Sequence, residues 1–216
     1  MLKLINIKKT FENPVLDAFN LILNKGDLIT VCGGTGSGKT TLINILSGLI
    51  LPDEGDILLG NESVLKNPLL LLKRSVSVSG RKTRFFQRLS VADNLRFFAS
   101  FYDISDIEFF RSCYHYMNML GLNENILARE FISLSSGMVK AVDILFAALC
   151  RAEFTFIDEP VKGLDKDTVI RLSLLTDDIK ARQGAAVFTS SSETSDKILT
   201  EKVISLADGN LHNAKK

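Results

Sequence analysis

Apolar and polar residues alternate from the start of the chain: MLKLINIKK reads as a strand over Leu2–Ile7. Phe19–Leu23 and Leu28–Cys32 repeat the strand pattern. The period then changes. TTLINILSGLI has helical length and spacing, and LPDEG closes it with turn residues before a short strand, ILLG. From Val91 to about Arg129 the spacing is helical, with DNLRFFASFY and Ile107–Leu120 as amphipathic segments. Ser136–Leu149 predicts a helix, Phe154–Ile157 a buried strand and Asp165–Ala181 a further helix. Ala185–Thr189 and Lys202–Leu206 are strands, and His212 falls in a polar tail expected to be unstructured. Strands and helices alternating around a helical insertion predict a parallel α/β core with a helical lobe. There is no internal repeat and no low-complexity linker.

At 216 residues the chain is long enough for one large domain or two lobes around a shared core. Its formal net charge of +1 supplies no bulk field for nucleic acid, so no nucleic-acid partner is expected. SGRKTRFFQR, Ser79–Arg88, mixes basic and aromatic residues and is the one local exception. A solvated loop explains it equally well. Cys32, Cys113 and Cys150 are widely spaced, forming neither a metal motif nor a disulfide framework, which fits a reducing cytoplasm. The apolar runs Leu42–Leu51 and Ile144–Cys150 are too short to span a bilayer. His115, on a helical stretch, reads as a packing or surface residue.

The strongest chemical signal is GGTGSGKT, Gly33–Thr40, between the strand LITVC and the helix TTLINIL. It fits the phosphate-loop pattern G-x-x-x-x-G-K-[ST] in full. Gly33, Gly34, Gly36 and Gly38, with Thr35 and Ser37 between them, let backbone N–H groups turn inward on phosphates. The helix that follows, opening with Thr40 and Thr41, adds its positive end. Lys39 supplies a point charge for the phosphates of ATP, and the Thr40 hydroxyl is a ligand for Mg²⁺.

FTFIDEP ends an apolar strand in two adjacent acids and a proline. Successive strand side chains point to opposite faces, so Asp158 and Glu159 are expected to do different work. Asp158 suits the phosphate-bound Mg²⁺, and Glu159 suits orienting or polarising an attacking water.

LSSGM, Leu134–Met138, is a weak motif alone, because a serine–glycine turn before a helix is an ordinary cap. Its place about twenty residues before FIDEP adds meaning. With these motifs in order, the chain resembles the ATP-binding cassette (ABC) family of transporter ATPases. GGTGSGKTT resembles the family's phosphate loop, LSSGM its LSGGQ signature, FTFIDEP its magnesium strand, and GLD, Gly163–Asp165, its dimer-contact loop. Phe11 stands where the family often stacks an aromatic ring on adenine. LSVADNLRFFASFY resembles the stretch after the glutamine loop of its exporters.

The resemblance implies a phosphate-loop NTPase core with a mostly parallel sheet, an N-terminal antiparallel β subdomain, and a helical subdomain inserted before the signature. Residues 1–85 and 151–216 would form the core and 86–150 the helical lobe. It also implies a head-to-tail pair of cassettes, a homodimer or heterodimer, with ATP between them. Ser135, Ser136 and Gly137 of one chain would then meet the γ-phosphate held by the other. A separate transmembrane permease subunit would choose the cargo, leaving this chain cytoplasmic and peripheral on the inner face of the cell membrane. Ser79–Arg88 lies where the cassette would meet that subunit.

Three positions depart from the family pattern. Arg81 stands in the register of the glutamine that senses Mg²⁺, with Gln87 too late, and Ser191 stands where a histidine contacts the γ-phosphate. VKAVDILF, after the signature, lacks the usual basic pair. Slow hydrolysis is therefore expected. The rival reading is a degenerate, non-catalytic cassette that regulates or completes an asymmetric dimer. A further rival is a cassette acting on nucleic acid or ribosomes, which the near-neutral charge disfavours.

Overall fold

In the computed structural model, the described residues are 1–79, 84–162, 164, 166–191, 199–200, 202–207 and 209–213. Arg81, Gly163 and Asp165 lie outside them. Strands β1 (Leu2–Thr10), β2 (Pro14–Leu23), β4 (Glu54–Leu59) and β5 (Glu62–Ser63) form an antiparallel sheet in the order β2-β1-β4-β5. The second sheet contains β3 (Leu28–Cys32), β6 (Ser75–Val78), β7 (Phe154–Ile157), β8 (Ala185–Ser190), β9 (Lys202–Ala207) and β10 (Asn210–Asn213). Its order is β10-β9-β3-β8-β7-β6, parallel except for β10 at the edge.

The apolar run AAVFTS shows why the parallel sheet is central. Every residue of β8 is buried, with Ala185 and Val187 in one core and Ala186 and Phe188 in the other. A strand covered on both faces needs no polar alternation. One core lies between this sheet, helix α1 (Lys39–Leu46) and the antiparallel sheet. The other joins the opposite face to α3 (Val91–Ala99), α4 (Asp106–Leu120), α5 (Ser136–Cys150) and α6 (Lys166–Ala181). A short α2 (Leu69–Leu72) leads into β6.

Several boundaries differ from the sequence expectation. Helix α1 stops at Leu46, because the Ser47 hydroxyl donates back to the Ile43 carbonyl and Gly48 turns with φ 73°. Strands β1 and β2 extend into polar residues, where bulges accompany positive φ at Asn6 and Ala18. His212 belongs to β10, opposite Ser205, so its segment is not unstructured. Backbone pairing to β9 places this polar strand without help from an apolar pattern. Among the described residues, no helix is long and apolar enough to cross a membrane.

Candidate active site

The loop between β3 and α1 is built on glycine. Gly36 and Gly38 have φ of 88° and 96°, in the left-handed region that side chains disfavour. A Cβ on Gly38 would also come within 2.9 Å of Val15 Cγ1. The Gly33 N–H donates to the Ser190 carbonyl at 3.0 Å, tying the loop to the end of β8. Lys39 is buried, and its Nζ donates to the carbonyls of Gly33 and Gly34 at 2.7 and 2.9 Å. Its ammonium is thus held at the loop rather than in bulk water. Buried Ser37 Oγ has no hydrogen-bond partner among the described residues and lies against Gly33, where a Cβ would come within 2.5 Å of it.

Next to it, β7 delivers two acids to different surroundings. Asp158 is buried, and its carboxylate accepts from Thr40 Oγ1 at 2.8 Å and from the Thr189 hydroxyl. The Glu159 N–H donates to Thr189 Oγ1 at 3.0 Å, and its Oε2 accepts from Ser191 Oγ at 3.1 Å. Strand alternation does not cause this separation, contrary to the sequence argument. Strand β7 ends at Ile157, and Glu159 sits in a left-handed turn with φ 52°. The turn, not the pleat, directs the two carboxylates apart.

These groups line a cleft of about 790 Å³, within the range of small-molecule sites. Thr35, Gly36, Gly38, Lys39, Thr40 and Thr41 line it, together with Asp158, Glu159, Ser136 and Gly137. Gly33, Gly34 and Ser37 shape the loop without lining the cleft. Ser135 caps α5, its hydroxyl accepting from the Met138 N–H at 3.3 Å. Phe11 is not brought to the cleft. It is 57% exposed between β1 and β2, with Lys9 Nζ 5.5 Å from its ring centroid.

Sequence reasoning missed Lys140 and Asp143, which line the cleft from α5, and Thr189, which joins the two acids. Burial pushes Lys140 down to about 8, against the attraction of Glu159. Burial pushes Asp143 up to about 6, against Arg84 and Lys140. Polar residues facing the ligand side of a helix were the available signal. Of Ser79–Arg88, residues 80–83 lie outside the described residues and Phe86, Gln87 and Arg88 are exposed, but Arg84 turns inward. Its guanidinium donates to the Ser77 carbonyl and lies 4.7 Å from the Phe146 ring centroid.

A profile of the ABC transporter family matches residues 16–162, a span holding the loop, the signature and both acids. The chain belongs to the ABC transporter family. It is 32% identical over 173 residues to the cytochrome c biogenesis ATP-binding export protein CcmA of Cupriavidus necator, covering 80% of this chain and 74% of CcmA. It is 28% identical over 183 residues to the spermidine/putrescine import ATP-binding protein PotA of Fusobacterium nucleatum. That match covers 82% of this chain but 48% of PotA, so the chain spans about half of that relative's length. The fold is similar to the dimeric structure of MJ0796, a bacterial ABC transporter cassette. The TM-score is 0.89 at 23% identity, over 100% of this chain and 98% of that one.

Proposed function

We propose that the chain binds MgATP in this cleft and hydrolyses it, as the ATP-binding subunit of an ABC exporter. The observation that carries the reading is the division of labour after β7. Asp158 is joined to the loop hydroxyl of Thr40, while the Glu159 carboxylate is turned to Ser191. Lys39 and the loop N–H groups would hold the phosphates. Thr40 and Asp158 offer only oxygen donors, which fit Mg²⁺. Among the described residues no cluster of three His, Cys, Asp or Glu could hold a metal, so phosphate and water would complete its shell. Bound there, the ion supplies charge neutralisation to the phosphates. Glu159 would orient the attacking water and accept its proton.

The same proposal has the adenine extend beyond the cleft toward exposed Phe11, and sets Ser135, Ser136 and Gly137 at the nucleotide of a second cassette. It treats residues 1–85 and 151–216 as the core and 86–150 as the lobe that meets a permease subunit at the inner face of the membrane. An exposed aromatic cluster supports that contact. Phe86, Phe97 and Phe101 are 48%, 46% and 61% exposed, and their rings pack on one another. Aromatic residues are enriched where proteins meet. Export is supported by the exporter-like LSVADNLRFFASFY stretch, whereas the relatives include both export and import proteins.

Steady-state phosphate release at saturating MgATP, set beside equilibrium titration with a fluorescent ATP analogue, tests the function. Binding with release supports an ATPase. Binding without release, with or without a permease, favours the non-catalytic cassette that Ser191 in place of histidine suggests.

A further inference from the structure

Glu159 holds a backbone conformation unusual for a side-chain-bearing residue, with φ 52°. Such a conformation persists where its surroundings over-determine it. Two of the restraints come from β8 and its end, through Thr189 and Ser191. The third comes from elsewhere in the fold. Lys140, one turn beyond Ser136 on α5, reaches across the cleft to the turn that follows β7. Its Nζ donates to the carbonyl oxygens of Glu159 and Lys162 at 2.5 and 2.6 Å. The Glu159 carbonyl also accepts from the Lys162 N–H at 3.3 Å, so the ammonium closes a turn the backbone holds only weakly.

We infer that Lys140 is a positioning residue: it clamps the Glu159–Lys162 turn to the signature helix and thereby sets where the Glu159 carboxylate stands. The inference rests on the reading of Glu159 as the base. Its chemistry is specific to a cation with several donors. Two carbonyls belonging to one turn are captured by one ammonium, which a side chain without donors, such as methionine, cannot reproduce. The half-buried ammonium faces Asp143, Asp158 and Glu159, which favour its charge, and Lys162, which opposes it. Because Lys140 and Ser136 lie on the same face of α5, a shift of that helix start would be felt at the turn. The one lysine of VKAVDILF therefore has a task that the missing basic pair conceals.

The experiment compares the parent with Lys140→Met and Lys140→Arg, after thermal melting confirms that each is folded. Should Lys140→Met not fold, Lys140→Ala, which also lacks a donor, carries the same comparison. Hydrogen exchange of the amides over Asp158–Lys162 reads the clamp directly. It should quicken about tenfold in the Met variant and return toward the parent in the Arg variant. The kcat for MgATP should fall about a hundredfold in the Met variant, as expected for a misplaced group, with KM nearly unchanged. Parental exchange in the Met variant, or an Arg variant no better than Met, overturns the inference. A parent without turnover but with the exchange difference retains the clamp and removes the hydrolysis reading instead.

Discussion

Two strand ends on either side of β8 solve the same conformational problem in different ways. After β3 the chain takes left-handed turns at Gly36 and Gly38, where glycine makes that conformation inexpensive. After β7 it takes one at Glu159, where a side chain makes it cost about 1–2 kcal/mol. The first turn is encoded by its own residues. The second is imposed by Thr189, Ser191 and Lys140, which are distant in sequence. A loop that must bring its backbone close to phosphate can omit side chains. A turn that must present a carboxylate cannot, so its geometry has to be enforced from outside.

The largest expected effect comes from breaking the local solution. Gly38→Val combines a left-handed valine with a close approach to Val15, and should weaken binding of a fluorescent ATP analogue about a hundredfold. Parental affinity would show that the loop does not depend on glycine there.

Breaking the imposed solution should cost stability as well as function. Thr189→Val leaves the Glu159 N–H without its acceptor and removes a donor from buried Asp158, so urea unfolding should show a loss of about 1–3 kcal/mol. A loss below about 0.5 kcal/mol would mean that this hydroxyl does not hold the turn, since surface-like changes are of that size.

The difference also explains what was legible in the sequence. The phosphate loop carries its glycines, lysine and threonine within Gly33–Thr40, and β3, β7 and β8 are continuous apolar runs. Their places followed directly. Strand β6 reads SVSV, whose serines gave no sign that all four positions are buried in the sheet. Strand β10 is held by backbone pairing at an edge, which side-chain pattern does not report. At the site, Asp158 and Glu159 were evident as residues, but the turn separating them depends on Thr189 and Lys140. Each of those reads locally as ordinary strand or helix.

Asp143 tests the cleft wall contributed by α5. Its folded-state value of about 6 exceeds the usual carboxylate range, so the folded chain binds more protons than the unfolded chain between these values. Its contribution is therefore fully present below about pH 4 and lost as pH rises through about 6. Asp143→Asn should be more stable than the parent by about 2–3 kcal/mol at pH 7, with the advantage gone near pH 4. A constant difference across that window would contradict burial as the cause.

Ser191→Ala should have the smallest effect. It removes one neutral donor from the Glu159 carboxylate, worth about two- to tenfold in turnover while Thr189 and Lys140 remain. Loss of all activity would mean that Ser191 contacts the reacting groups itself.

The central claim is that Glu159 is the base, presented by a turn that the rest of the fold enforces. Phosphate release at saturating MgATP by Glu159→Gln, normalised to nucleotide bound, tests it most directly. The account predicts parental ATP affinity with release slowed at least about a hundredfold, the scale of general-base catalysis. Release at the parental rate would contradict it.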